Sequence, residues 1–299
     1  MQTLPHTRFT RPFSFLVIVI AYMLSYAFAA FSIVLLKDVD WHPLWKLALA
    51  DTVGTVVIFI FSVAFKNSSF YDAYWSLAPP AFLVFLVPLA LPEVDGFRQI
   101  LVGTAVIFWG ARLTLNWGRH WGGIKMQDWR YAELKGDSRG IKRLAVDFFA
   151  IHFFPTVFVF LVCLPLYPAV VDQQTPLTVF DLFAFALCLT AILIETIADE
   201  QLRLFKKRIK TPGEFMKSGL WKYSRHPNYF GEWTFWTGIY LMGLVANPAY
   251  WWTGVGIVVL LAMFLFASIP MMDKRMVSKR PEYADHIKKV SSLFPLPPR

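Results

Sequence analysis

Only two cysteines, Cys163 and Cys188, occur among 299 residues, and both fall inside apolar runs. A lone thiol in such a run acts as a small hydrophobe, which excludes a disulfide framework or a thiolate metal site as an organising feature. The six histidines, at 6, 42, 120, 152, 226 and 286, show no paired spacing, and neither HExxH nor CxxC occurs, so no metal is expected. GxGxxG is missing too, and any dinucleotide must then be bound outside a Rossmann fold. Charge is scarce: 16% of residues are charged, against about 25% in soluble domains.

What fills the chain instead is apolar. Hydrophobic residues make up 57% and aromatics 17%, and the mean hydropathy is +0.49. This composition predicts an all-α integral membrane protein, a single transmembrane domain over 1–299 built from seven to eight helices. Crossing roughly 30 Å of hydrocarbon takes about 20 mostly apolar residues. Eight stretches qualify or nearly do: 13–36, 45–65, 75–91, 98–117, 147–170, 178–198, 231–246 and 251–271. The first is too long for a signal peptide and lacks a small-residue cleavage site, so it reads as a span. Pro79, Pro80, Pro155 and Pro165 predict kinks, because proline removes a helical hydrogen bond.

Placing both termini in the cytoplasm puts 25 of the 29 lysines and arginines on that side. Lys37, Lys46 and Arg98 fall opposite, and Arg112 falls within a span. The positive-inside rule selects this topology. The +9 net charge therefore gathers on one face, where anionic lipid, and not nucleic acid, is the expected partner.

The 118–146 loop begins "GRHWGGIKMQDWRYAELKGD", in which Arg119, Arg130 and Tyr131 alternate with tryptophans and the pair Gly122–Gly123. Guanidinium forks for phosphate and aromatic faces for stacking suit a phosphate-bearing, ring-containing ligand. Arg112 and Asn116, one turn apart on the fourth span, read as a chamber wall, since an arginine in hydrocarbon needs a partner. The segment Glu195 to Lys210 carries no proline or glycine, so one helix should emerge from the membrane there. Glu195, Asp199, Arg203 and Lys206 share one stripe of it, with Asp199–Arg203 spaced as an ion pair.

The stretch "WKYSRHPNYFGEWTFW" sets Tyr223, Arg225, His226, Asn228, Tyr229 and Glu232 at the mouth of an apolar run. Asn228 and Glu232, four residues apart, set an amide and a carboxylate on the mouth of one helix. Pro227 beside a helix start favours a helix N-terminus turned toward phosphate. Gly231 leaves room for a backbone to approach a ligand.

From about Arg112 to Pro295, the order "ADEQLRLFK", "TPGEFMKSGLWKYSRHPNYFGEWTFWTGIYL" and "DKRMVSKRPEYADHIKKVSSLFP" resembles the membrane-embedded steroid 5α-reductase family, and most of all its uncharacterised bacterial branch. The Arg-His-Pro-x-Tyr element is shared with sterol C14-reductases and isoprenylcysteine carboxyl methyltransferases. Asn228, Gly231 and Glu232, with Asp199 and Arg203 upstream, favour the reductases. The resemblance implies that 118–299 cradles NADPH from the cytoplasmic side, with Asp199, Arg203, Asn228, Tyr229 and Glu232 at cofactor positions. It implies that helices within 1–117 form a lipid-side chamber for an apolar lipid or steroid-like substrate, whose carbonyl-conjugated C=C bond is reduced. Lys274 and Tyr283 would reach the adenosine phosphate end, although Met271, Met272 and Asp273 stand where the family carries a histidine. A bacterial cytoplasmic membrane is the implied location.

The family also implies a tyrosine acid oriented by a carboxylate. "FYDAYWSLAPP" offers Tyr74 as the acid, with Asp72 or Glu195 as its orienter. The alternative reading is an S-adenosylmethionine-dependent membrane methyltransferase. The topology itself is open to a direct check. Cysteine labels at Ser138, Lys210 and Ser291 should react only from the cytoplasm and one at Asp95 only from the opposite side. The reverse pattern at any two of these sites contradicts it.

Overall fold

The computed structural model describes residues 10–208 and 213–299. Residues 209–212, with Lys210 of the emerging helix and the start of the "TPGEF" stretch, lie outside the described residues. In chain order the helices are α1 (Arg11–Leu35), α2 (Pro43–Ala64), α3 (Tyr74–Leu86), α4 (Gly96–His120), α5 (Trp129–Lys135), α6 (Gly140–Val146), α7 (Phe154–Cys163), α8 (Leu166–Val170), α9 (Val179–Arg208), α10 (Pro227–Ala246), α11 (Val255–Met263), α12 (Ile269–Lys279) and α13 (Tyr283–Lys289). No strand occurs among the described residues.

Among the described residues, seven stretches are long and apolar enough to cross a membrane: Arg11–Leu35, Pro43–Ala64, Ser68–Leu89, Gly96–His120, Gly140–Cys163, Val179–Arg208 and Pro248–Lys279. The chain is thus an all-helical membrane protein. The expected eighth span corresponds to α10. Its 20 residues reach about 30 Å, but Asn228, Glu232 and Thr234 dilute its apolar character below that of the other seven. α9, at 30 residues and about 45 Å, exceeds the hydrocarbon thickness, so it continues unbroken beyond it as expected.

The prolines act in different ways. Pro79 and Pro80 sit inside α3, Pro155 follows a π-helical turn at Asp147–Phe153, and Pro165 caps α8. The π turn absorbs the register that a proline denies to an ordinary helix.

The chain forms two compact units, Met1–Pro88 with Gly110–Phe160 and Leu89–Trp109 with Leu161–Arg299. In the first, α1 lies along α2, and the 3₁₀ turn Ser68–Tyr71 packs onto α2. Its core gathers Ile18, Tyr22, Ile58, Phe70, Tyr71, Tyr74 and Trp121. Gly54 makes this possible, because a Cβ there would stand 2.3 Å from the Tyr74 hydroxyl and 2.9 Å from Ser25 Oγ.

In the second unit α10 packs along α9 through small residues. A Cβ at Gly231 would meet Glu195 Cγ at 2.3 Å, and one at Gly238 would meet Cys188 Sγ at 2.5 Å and the Ala184 carbonyl at 3.0 Å. Small residues let helix backbones approach in a membrane, where no hydrophobic force drives helices together. Gly231 therefore serves the helix contact and not, as read from the sequence, approach to a ligand.

Arg98, which the charge count puts on the side opposite the cytoplasm, is fully buried. Its Nε donates to Asp181 Oδ1 at 2.8 Å and Nη2 to Oδ2 at 3.0 Å, while Gln173 Oε1 and the carbonyls of Thr175 and Pro176 take its other protons, each at 2.8–2.9 Å. All five guanidinium donors are thereby used. Removing one partner of a buried pair costs about 3–5 kcal/mol, whereas an apolar replacement of both can be neutral. Asp181→Asn should accordingly lower the unfolding temperature sharply in detergent, and the double variant Arg98→Met, Asp181→Leu should recover most of the loss. A double variant as unstable as the sum of both singles contradicts this account of the pair.

Candidate functional site

In the first unit the turn at 67–72 is gripped by the 118–146 loop. Asn67 Nδ2 donates to the carbonyls of Ile124 and, at 3.1 Å, Met126. Ser69 Oγ accepts from Asp128 N at 2.9 Å, and Gln127 Oε1 accepts from Ser68 N at 3.3 Å. Ser68 Oγ donates to Asp147 at 2.7 Å, and that carboxylate pairs with the buried ammonium of Lys135 at 2.8 Å. The Tyr131 hydroxyl donates to Asp72 Oδ1 at 2.5 Å. Burial and the Asp72 charge hold the Tyr131 phenol well above its ordinary pKa, so it remains a donor.

Much of that loop's unusual composition is spent on packing. Trp117 and Trp121 stack at 4.8 Å, both meet Phe15 edge-on, and Arg11 bonds the carbonyls of Gly118 and Trp121 at 2.7 and 3.0 Å. Gly123, at φ +102, lies against Ser14. Arg130 forms a bidentate pair with Asp128 at 3.0 Å, the helix N-cap of α5. Arg119 points to solvent, and Arg112 and Asn116 are half-buried on α4.

The Tyr74 hydroxyl sits between α1 and α2, beside Gly54 and Ser25, with its ring 5.6 Å from Tyr26, 5.7 Å from Tyr71 and 5.9 Å from Tyr22. Tyr71 Oη and Thr55 Oγ1 both meet Thr156 Oγ1, at 2.8 and 2.7 Å. Asp51, from α2, lies within electrostatic reach of Tyr74, Tyr71 and Tyr26. It is 4% exposed, and its Oδ2 has no hydrogen-bond partner. The structure therefore offers Tyr74 a different carboxylate from the one read in "FYDAYW": Asp72 is engaged by Tyr131, and Asp51 stands in the Tyr74 cluster. The sequence signal for it is an acid inside the second span.

In the second unit Asn228 Nδ2 donates to Asp199 Oδ1 at 3.3 Å, joining α10 to α9 across 29 positions. Arg203 pairs with Glu200, three residues back, and not in the i, i+4 register expected with Asp199. Lys206 and Lys274 are exposed, and Glu195 is buried. Glu232 Oε2 accepts from Trp109 Nε1 at 3.0 Å and Oε1 from Trp236 Nε1 at 2.8 Å, so the carboxylate also serves two indoles. Tyr229 is stacked between His226 at 5.2 Å and Phe264 at 4.6 Å.

Asp273 anchors the Arg-His-Pro motif. Its carboxylate holds Arg225 Nη2 at 3.0 Å and lies 3.6 Å from His226 Nε2. The closing segment clasps the same motif: Ser291 O accepts from Arg225 N at 2.9 Å, Leu293 O from Ser224 Oγ at 2.7 Å, and Tyr223 O from Leu296 N at 3.0 Å. Tyr283 packs on Phe215 and His286, its phenol raised by burial and Asp273. The His286 pKa is lowered by burial and then by Arg225 and Lys217. Arg225 Nε is buried with no acceptor. Among the described residues no cluster of three or more His, Cys, Asp or Glu could hold a metal ion.

Residues 58–290 match the family described as "Protein of unknown function (DUF1295)". An uncharacterized protein of Schizosaccharomyces pombe is 26% identical over 271 residues, covering 83% of this chain and 78% of its own length. No solved structure matches.

The two indole bonds give Glu232 a measurable structural weight. Glu232→Gln keeps one acceptor but turns an amide NH₂ toward the second indole, and a buried donor left unmet costs about 1–3 kcal/mol. Thermal unfolding should fall accordingly, and adding Trp109→Phe should cost less in the variant than in the parent. Full stability of Glu232→Gln contradicts this assignment.

Proposed function

The chain belongs to the DUF1295 family, and from that premise together with the motif resemblance we propose that it is an NADPH-dependent reductase of a carbonyl-conjugated C=C bond in an apolar lipid or steroid-like molecule, working in a bacterial cytoplasmic membrane. The observation that carries the reading is the Asp199–Asn228 contact, which unites two residues that the resemblance assigns to the cofactor from separate helices. The donor set fits a dinucleotide. Asp199 and Asn228 offer an acceptor and a donor for hydroxyl or carboxamide groups. Arg203 and Lys206, on successive turns of α9, suit phosphate oxygens. Arg225 Nε is a buried donor that lacks an acceptor of the kind such a ligand carries.

When bound, NADPH supplies a hydride equivalent to the electron-poor carbon of the conjugated bond. The protein's own part is to stabilise charge on the carbonyl oxygen. Tyr74 donates its phenolic hydrogen bond there, and the gain is large because a buried donor acts in a low dielectric. Asp51, as the carboxylate of the Tyr74 cluster, takes the orienting role in place of Asp72. Asp72 and Tyr131 hold the turn from which α3 starts.

Thermal shift on purified protein tests the reading. NADPH at a hundred times its Kd should stabilise by about 2.7 kcal/mol, and S-adenosylmethionine should not. Asn228→Ala should weaken NADPH several-fold to about a hundredfold, the span expected for one lost hydrogen bond. Tyr74→Phe should bind NADPH normally while product formation slows. Stabilisation by S-adenosylmethionine alone would replace the reductase with a methyltransferase.

A further inference from the structure

A cleft of about 470 Å³ runs between α1, α3 and α4 within the first unit, a size in the usual range of roughly 300–1,000 Å³ for small-molecule sites. Its walls are the side chains of Phe15, Ile18, Leu77 and Leu115, and its rim carries Trp117, Arg11 and Arg119. No carboxylate lines it. We propose that this cleft is a binding site for one anionic phospholipid, whose acyl chain lies along the apolar wall and whose phosphate meets Arg119 and the Trp117 indole.

Three observations converge. Arg119 is exposed and forms no ion pair among the described residues, and with Arg11 it gives the rim two positive charges and no counter-charge. Next to it, the Trp117 indole, which lines the cleft and stacks on Trp121, buries an N–H with no acceptor. A buried donor without a partner is rare in a folded protein, and phosphate or ester oxygen is an acceptor of the required kind. The third concerns the helix dipole. The α4 C-terminus, which ends at His120, would by itself repel an anion. Arg11 offsets this by donating to the carbonyls of Gly118 and Trp121, so the end that would repel the headgroup is already capped by a cation. An apolar wall beneath a cationic, indole-bearing rim matches a lipid, whose two ends differ in the same way, better than a wholly soluble anion.

The inference stands apart from the Asp199–Asn228 contact that carries the reductase reading, although Arg119 is one of the loop residues that the sequence offers to a phosphate-bearing ligand. It is read by native mass spectrometry of the full chain in detergent with phosphatidylglycerol or phosphatidylcholine added, without any nucleotide. One phosphatidylglycerol should be retained in preference to phosphatidylcholine. Arg119→Gln should weaken it about fivefold, the effect of one basic residue at a lipid surface. Trp117→Phe should weaken it also, with an unchanged unfolding temperature in lipid-free detergent. Equal retention of the two lipids overturns the proposal, as does an Arg119→Gln chain that holds phosphatidylglycerol like the parent. Displacement of the lipid by millimolar inorganic phosphate overturns it too, for the site would then read a free anion.

Discussion

The close approach of α9 and α10 is the contact on which the polar pair of the second unit, Asp199 with Asn228, depends. Gly231 and Gly238, seven residues apart, face Ala184, Cys188, Ala191 and Glu195 on a matching repeat, so the two backbones meet where any side chain would collide. That distance is what lets the short amide of Asn228 reach the short carboxylate of Asp199 directly. A pair of helices held apart by leucines would leave the same two residues too far apart to touch. Gly231, within one turn of Asn228, and Gly238, about three turns on, thus set the polar contact through backbone geometry.

A second constraint is general to hydrocarbon: a polar group there must find its partner inside the protein. Each unit shows it. Arg98 spends all five donors on Asp181, Gln173 and two carbonyls. Lys135 meets Asp147, Asp72 meets Tyr131, and Glu232 meets two indoles. Asp51 Oδ2, Arg225 Nε and the indole N–H groups of Trp117 and Trp121 stand outside this pattern. Asp51 Oδ2 falls in the Tyr74 cluster, Arg225 Nε beside the Arg-His-Pro motif, and the Trp117 N–H at the cleft between α1, α3 and α4.

Much of the fold was legible from composition, because a membrane span is a local property. The apolar runs, the helix that continues past the bilayer to carry Asp199 and Arg203, and the proline positions all follow from windows of about 20 residues. The site was legible only in part. Asp72 was read with its neighbour Tyr74, yet its partner Tyr131 lies 59 positions away, and Arg98 finds Asp181 across 83. Such pairs depend on which helices touch, which no window records. Gly231 was misassigned for the opposite reason. Its repeat with Gly238, and the answering Ala184, Cys188 and Ala191, was present in the sequence as a small-residue spacing that could have been recognised. The tryptophan-rich loop was read as a ligand platform because packing among Phe15, Trp117 and Trp121 needs α1 beside α4.

The claim that the reduced nucleotide delivers hydride into a lipid is tested most directly by isotope transfer. Purified protein in native membrane lipid, given NADPH carrying tritium at the transferable position of its nicotinamide, should move the label into the organic-extractable fraction, onto the carbon of the former double bond that lies farther from the carbonyl. Asp51→Asn should slow that transfer more than Asp72→Asn does. Label that stays wholly in the aqueous nucleotide, while a methyl group from S-adenosylmethionine passes into the lipid, would contradict the account.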